Sequence, residues 1–348
     1  MERREFVALI CAFPALCAKK LPINILRQEH YVMTVNGKVS LSELGGALPH
    51  EHFITDFSGA GSENHPEYTE LQALDLLLPH LKAVRELGIQ TIFECSPSYI
   101  GKNVKLLRKL STLSDLHIIT NTGYYAAVNQ KYLPDHAYTE SAMKLAERWI
   151  SEYVNGIERS KIRPGFIKLG SDNAPLKEVE IKLIEAAAIT HLKTGLKIAI
   201  HTGNAEAAVQ ELKILEKMGV KPSAFIWVHA QNDQTGETQI RLAKKGCWIS
   251  LDGLNSTENS LNKYEKNIMK FKAAGLLNRL LISHDDGFAA VKKDGQSGFN
   301  PYKNGNTLPY VTLFTKLKPA LLKNGLTEKE FDLLTVTNPA SAFRIDKR

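Results

Sequence analysis

Six residues of this sequence have types and spacings able to hold metal ions: His50, His52, Lys168, His201, His229 and Asp285. Each lies in or at the end of a short apolar run, in LPHEH, FIKLG, IAIH, IWVH and LLISHD. Residues two apart in an extended chain face the same side, so both imidazoles of His50-Glu51-His52 can reach one ion. Nitrogen and carboxylate ligands suit zinc, manganese, cobalt or iron without selecting firmly among them. A lone histidine at a strand end is more often packed structure than a ligand. Four of them with an aspartate, at corresponding ends of separate runs, form a ligand pattern. Lys168 alone is bland, because a lysine in an apolar strand can simply pair with a carboxylate. Burial lowers a lysine's pKa, however, and a neutral amine can take up CO2 to become a carbamate. That product is anionic and offers two oxygens that can bridge two cations.

The elements that must position these residues follow one device from residue 85 onward. A helical pattern ends at a glycine and an apolar strand follows, as in ELG88 then IQTIFE, KTG195 then LKIAIH, and KMG219 then VKPSAFIWVH. KKG246 then CWISLD and AAG275 then LLNRLLISHD complete the set. Glycine tolerates the left-handed conformation that ends a helix. The strands are continuous rather than alternating in hydrophobicity, as expected when both faces are buried. Candidate strands fall at 44–50, 89–95, 116–122, 164–169, 196–201, 224–229, 246–251 and 279–285. The helices between show apolar spacings of three and four, as at Leu71, Leu74, Leu78 and Leu81, or Leu145, Trp149, Ile150 and Tyr153.

Strands alternating with helices imply right-handed βαβ units and a parallel sheet, and this number of them predicts an α/β fold, a closed (β/α)8 TIM barrel. An open doubly wound sheet would want a glycine-rich phosphate loop after its first strand, where this chain has ProHisGluHis. In a barrel, catalytic groups collect at the C-terminal ends of the strands, where all six residues stand. Before the barrel, 31–42 reads as a short hairpin turning at Asn36-Gly37. Near the end, Thr327 to Glu330 is a capping box and Asn338-Pro339 opens a last short helix.

Composition bounds the rest. With 348 residues, of which 43% are hydrophobic and 23% charged, the chain is an ordinary globular mixture. Its 44 basic and 37 acidic residues leave a net charge of +7. Lysines are interspersed with glutamates, as in LKEVEIKLIEAAAITHLKT at 176–194, so the excess reads as solvated surface and argues against nucleic acid. The four cysteines Cys11, Cys17, Cys95 and Cys247 form no CxxC pair and indicate no disulfide framework.

Residues 1–20 place Arg3-Arg4-Glu5-Phe6 before an apolar run at 6–18 that is too short to span a bilayer. This reads as a twin-arginine-like export signal and a periplasmic or exported destination, the alternative being a cytoplasmic protein with a buried N-terminal element. Residues 31–348 are then expected to form one barrel domain.

His50-Glu-His52, Lys168 in FIKLG, His201 in IHTGN, His229 in VHAQND and Asp285 in SHDDGF together resemble the ligand set of the phosphotriesterase family, in the amidohydrolase superfamily. The resemblance extends to TVNGKVSLSELGGALPHEH at 34–52, TNTGYY at 120–125 and TVTNPASAF at 335–343, and so covers the chain after about residue 31. It implies a metal-dependent hydrolase with two divalent metals, one on His50, His52 and Asp285 and the other on His201 and His229. A carboxylated Lys168 and a hydroxide would bridge them. By the same resemblance the hydroxide attacks the substrate and Asp285 takes the proton as catalytic residue. Organophosphate-hydrolysing members carry an Asp–His relay behind the metal-bound aspartate. Asn232 and Gly253 occupy those places here.

Specificity is expected in the loops after the strands. Those after the first, seventh and eighth strands, the last of them spanning 286–308, are polar and rich in Gly and Asn. Tyr99, Tyr124, Tyr125, Lys292, Lys293 and Lys303 are the candidate substrate contacts. A polar mouth predicts a polar or anionic small molecule, and the lactonase-like branch of the family predicts a lactone or carboxylic ester. A phosphotriester or phosphoester, and an amide or N-acyl substrate, are the alternatives. A barrel that binds metal without catalysis is the least favoured reading, because no ligand position is substituted. A homodimer is the expected assembly, without a membrane span.

Overall fold

In the computed structural model, which describes residues 30–293, 295–302 and 308–346, the helix–glycine–strand device recurs at each expected place. Gly88, Gly195, Gly219, Gly246 and Gly275 all have positive φ, which costs glycine least. The expected export signal at 1–20, Cys11, Cys17 and Lys303 lie outside the described residues.

The chain enters through an antiparallel hairpin, β1 (His30–Thr34) and β2 (Gly37–Ser40). Thr34 stands opposite Gly37, so the turn is Val35-Asn36, one residue earlier than expected. The Thr34 hydroxyl sets that register by donating to the Gly37 carbonyl and accepting from the Asn36 N–H. β3 (Gly46–Glu51) and the short β4 (Ile54–Asp56) precede α1 (Glu70–Glu86), β5 (Ile89–Glu94), α2 (Val104–Ser114), β6 (His117–Ile119) and β7 (Asn121–Thr122). Then come α3 (Asp135–Thr139), α4 (Ala142–Asn155), β8 (Phe166–Ser171), α5 (Glu178–Thr194), β9 (Lys197–Thr202) and α6 (Ala205–Lys217). β10 (Phe225–Val228), α7 (Glu237–Lys245), β11 (Trp248–Leu251), α8 (Glu258–Ala273) and β12 (Leu280–Ile282) complete the alternation. A hairpin, β13 (Phe288–Lys293) and β14 (Gln296–Pro301), precedes α9 (Lys318–Lys323), α10 (Glu328–Asp332), α11 (Asn338–Phe343) and β15 (Ile345–Asp346).

Parallel ladders run β3-β5-β6 and β7-β8-β9-β10-β11-β12. β6 and β7 are one strand interrupted at Thr120, so the barrel has the expected eight staves. Between the last stave and the first, the seam is closed by side chain and backbone together. The buried Glu51 carboxylate accepts from Ser283 Oγ (2.6 Å), His284 N (3.0 Å) and Asp286 N (2.9 Å), and pairs with His284 Nδ1 (2.7 Å). Asp285 N donates to His50 O and His52 N to Asp286 O. The architecture is a (β/α)8 TIM barrel with a short N-terminal hairpin.

Alternation along each strand sorts side chains between barrel interior and helix layer. Phe93, Ile119, Phe166, Ala199, Ile226, Trp248 and Leu281 form the inner cluster, and Phe343 of α11 plugs its base, with ring centroids 4.1 Å from Phe93 and 5.2 Å from Phe166. Outside the strands a larger core meets the helices. In α1 its stripe is Ala73, Leu77, Leu81 and Val84, not the one read from the leucines: Leu71 is 66% exposed. Several leucines at helical spacing define two adjacent stripes, and the packing of the neighbouring strand chooses between them.

The loops are more ordered than expected. The polar stretch after β12 contains the β13–β14 hairpin, and β13 pairs in parallel with β4, which itself lies in the expected loop after the first stave. Most of the expected loop after β11 is the start of α8. No helix among the described residues is long and apolar enough to cross a membrane. Cys95 and Cys247 are free and buried.

Behind β8 and β9, Glu211 of α6 is fully buried and accepts from the hydroxyls of Ser171 and Thr202. Burial pushes its carboxyl up to about 8. The protonated form fits, because the Thr202 hydroxyl can donate instead to Ile200 O at 3.0 Å and accept from the acid. Folded Glu211 is thus neutral where unfolded Glu211 is ionised, so its contribution is full below the ordinary value of 4.5 and is lost as pH rises toward about 8. Glu211→Gln is expected to melt like the parent at acid pH and about 3–6 °C higher in alkaline buffer, by calorimetry. Equal melting at both pH values would contradict a buried neutral acid.

Candidate metal centre

The alternation that buries Phe166 and Ala199 in the barrel also aims Lys168 and His201, two residues further along β8 and β9, into its mouth. His50 and His52 follow the same rule at the end of β3. His229 and Asp285 arrive differently: both lie just past their strands with φ of 61° and 58°. Left-handed backbone at non-glycine residues is costly and clusters at functional sites. Two close approaches also shape this end. A Cβ on Gly123 would lie 2.4 Å from Lys168 O, and one on Gly170 would lie 2.5 Å from the Tyr125 ring. The TNTGYY segment can therefore lie against β8 only with glycine at both places.

The six residues converge on one cavity of about 300 Å³. Asp285 Oδ1 lies 3.1 Å from His52 Nε2 and 3.4 Å from His50 Nε2. Ring centroids of His50 and His229 are 5.2 Å apart, and those of His201 and His229 are 4.4 Å apart. Lys168 is buried beneath Tyr125, its Nζ 5.4 Å from the ring centroid.

Sequence reasoning missed Asp252, which follows β11 and is wholly buried. Its Oδ1 pairs with His229 Nδ1 at 2.6 Å and accepts His229 N at 3.1 Å, while Oδ2 lies 3.1 Å from His50 Nδ1. One carboxylate thereby orients a ring from each half of the expected ligand set and turns both Nε2 atoms to the cavity. Burial works against its ionisation, but His229 and His50 hold its carboxyl well below the usual range. Its signal was legible as an acid at the end of CWISLD, one residue past the predicted strand.

His52 has its own support: Nδ1 meets Ser96 Oγ at 2.9 Å, and Ser96 donates to the buried Glu94. Burial lowers His52 to about 4, which favours the neutral, ligating imidazole. Burial also opposes protonation of His50, yet the carboxylates of Asp252 and Asp285 outweigh it and push that ring up to about 9. Glu94 is raised to about 7 by burial against its Ser96 bonds. Ligand atoms of His50, His229 and Asp285 all lie within 4.8 Å of one another. Two imidazoles and a carboxylate at that separation fit a divalent cation, although this trio crosses the two ligand sets the resemblance implies; with His52 beside Asp285 and His201 beside His229, the cavity offers donors for two ions in that division as well.

The walls differ from the polar mouth expected. Among the described residues they are Phe57, Ile100, Tyr125, Val128, Tyr132 and Tyr302, with Cys95, Pro97, Ala289 and Pro301 between. The rim loops are polar in composition because most of their residues face solvent; the few turned inward are apolar. Of the sequence candidates, Tyr125 lines this cavity. Tyr99 and Tyr124 line a separate polar groove with Lys102, Lys144 and Arg148. Lys292 and Lys293 stand exposed near the tip of the β13–β14 hairpin and are not among the cavity walls. Phe57, Tyr132 and Tyr302 were not foreseen. Tyr302, which stacks on His52 at 5.3 Å, enters from a segment read as loop.

The model of the phosphotriesterase family matches residues 30–343. The chain belongs to that family. It is similar to the phosphotriesterase homology protein of Escherichia coli (24% identity, 88% of this chain and 100% of that one). It is also similar to the phospho-furanose lactonase of Mycoplasmopsis synoviae (25% identity, 92% and 94%). Among solved structures it superimposes on the organophosphorus hydrolase from Deinococcus radiodurans with a TM-score of 0.79, at 26% identity over 91% of this chain and 98% of that one.

As a phosphotriesterase-family protein the chain is a hydrolase, and its family depends on a binuclear metal site. At the two places where the resemblance expects an Asp–His relay stand Asn232 and Gly253. Asn232 is exposed. A Cβ on Gly253 would lie 2.7 Å from Gln231 Nε2. Gln231 bonds both the backbone and the carboxylate of Asp252, and Tyr264 OH accepts from Gly253 N. The Gln231 amide, the movable end of its side chain, occupies the space beside Gly253.

Proposed function

We propose that this protein hydrolyses lactones or carboxylic esters that carry an apolar substituent. The observation that carries the reading is a small cavity with apolar and aromatic walls and the candidate metal ligands lining its base. Burying a substituent there contributes about 25 cal/mol per Å² of apolar surface removed from water. His50, His52, Asp285, His201 and His229 would hold two divalent cations. Lys168 would bridge them as the carbamate: its neutral amine adds to CO2, the N–C bond forms, and the proton leaves to solvent. Bound cations would supply an activated water and polarise the acyl oxygen.

The chain's own part is positional. Phe57, Tyr132 and Tyr302 exclude bulk water and orient the substituent, so that the acyl carbon faces Asp285. The Asp285 carboxylate takes the proton released as water adds, and returns it to the alkoxide as the ring or ester C–O bond breaks. A hydroxy acid, or an acid and an alcohol, results.

A phosphotriester is the second reading, supported by the likeness to the Deinococcus enzyme; Asn232 and Gly253 at the expected relay places weigh against it. Purified protein loaded with zinc, manganese or cobalt is expected to cleave alkyl γ-lactones with a kcat/KM about 100-fold above that for a diethyl aryl phosphate. Faster turnover of the phosphate than of every lactone and ester tested would overturn this reading.

A further inference from the structure

The turn between β7 and α3, which carries Val128 and Tyr132 of the cavity wall, is the most strained segment around the cavity. Val128, Asn129 and Gln130 have φ of 59°, 53° and 66° in succession. L residues resist left-handed backbone, and a β-branched valine resists it most. Such strain persists where surrounding structure over-determines it.

Asp172, one residue beyond β8, supplies the hold. Its Oδ1 accepts Val128 N at 2.8 Å and its Oδ2 accepts Asn129 N at 3.1 Å. Lys177 Nζ donates to Asp172 Oδ2 at 3.0 Å and reaches Asn129 Oδ1 at 3.4 Å. The buried Glu180 fixes this pair in turn, accepting Asp172 N at 2.8 Å and Lys177 N at 2.6 Å.

The held turn reaches the cavity along two paths. Val128 stands on the rim, 52% exposed, and Tyr132 stands in the wall, its centroid 5.9 Å from Tyr125 and 6.2 Å from Phe57. Lys131 O accepts Ala60 N at 3.1 Å, which docks the loop carrying Phe57 onto the same turn.

We propose that Asp172 is a specificity-determining positioning residue. It touches no reacting atom; it caps the left-handed turn and so holds Val128, Tyr132 and Phe57 as the apolar wall against which the substrate's substituent rests. The choice of substrates to test it rests on the lactone or ester reading above.

The test uses the full-length, metal-loaded protein with unsubstituted and octyl-substituted γ-lactones. Asp172→Ala is expected to raise the KM of the octyl lactone relative to the unsubstituted one about tenfold, with the kcat ratio changed by less than about twofold. Hydrogen exchange at the Val128 and Asn129 amides should quicken at least about tenfold. Adding Asn129→Gly and Gln130→Gly to Asp172→Ala is expected to restore the KM ratio part-way, because glycine accepts this backbone without a clamp; general destabilisation would not be restored so. Unchanged exchange, or faster exchange with an unchanged KM ratio, overturns the proposal. If the parent protein hydrolyses no lactone, the functional reading has failed by itself. The affinity for octanoate relative to acetate, measured by calorimetry in parent and variant, then decides the role of Asp172 by the same tenfold criterion.

Discussion

Lys168→Ala is expected to bind about one divalent ion per chain where the parent binds about two, and to lose at least about 10³-fold in kcat/KM. The side chain is buried within β8, covered by Tyr125, and shares its cavity with four histidines and Asp285. As an ammonium it would repel cations from that cavity; as a carbamate it offers two anionic oxygens. Metal content after dialysis reads the first claim. A carbamate carbon resonance in protein equilibrated with 13C-bicarbonate, present in the parent and absent in the variant, reads the second. Lys168→Glu keeps an anionic side chain and is expected to retain part of the second ion. Two ions and full activity in Lys168→Ala would sink the carbamate.

Asp252→Ala should weaken binding at both halves of the centre, with dissociation constants rising about 10- to 100-fold. A side chain serving one ligand would affect one ion; this carboxylate meets Nδ1 of both His50 and His229 and also holds the backbone N–H of His229 in its left-handed conformation. Removing it takes away the charge beside both rings and leaves the buried His229 Nδ1 without its partner, which adds a stability cost of about 1–3 kcal/mol. Asp252→Asn keeps the shape but can accept from only one ring at a time, so its affinities should fall between. Competition with a chromophoric chelator measures both constants. Loss of one ion with the other unaffected would show that Asp252 serves a single ligand.

The sequence alone determined the barrel and the expected ligand set, because both are local and periodic. Five helix stops are glycines and each stave is a short apolar run, so the eightfold alternation needs no tertiary knowledge. The spacing of two in His50-Glu51-His52, and the strand-end places of His201 and His229, survive because alternation is a property of extended chain. Lys168 needed the family resemblance, since nothing in one buried lysine distinguishes a carbamate from an ion pair.

What only the tertiary structure decided is which distant residues meet. Asp252 serves His50, some two hundred positions earlier, across the closed barrel, and Glu51 ties the first stave to the last. The apolar cavity comes from a few inward-turned side chains in loops whose average composition is polar, and composition averages over the side that faces water. The strained turn at Val128 is likewise invisible in sequence, because it is imposed by Asp172 from another strand rather than chosen by its own residues.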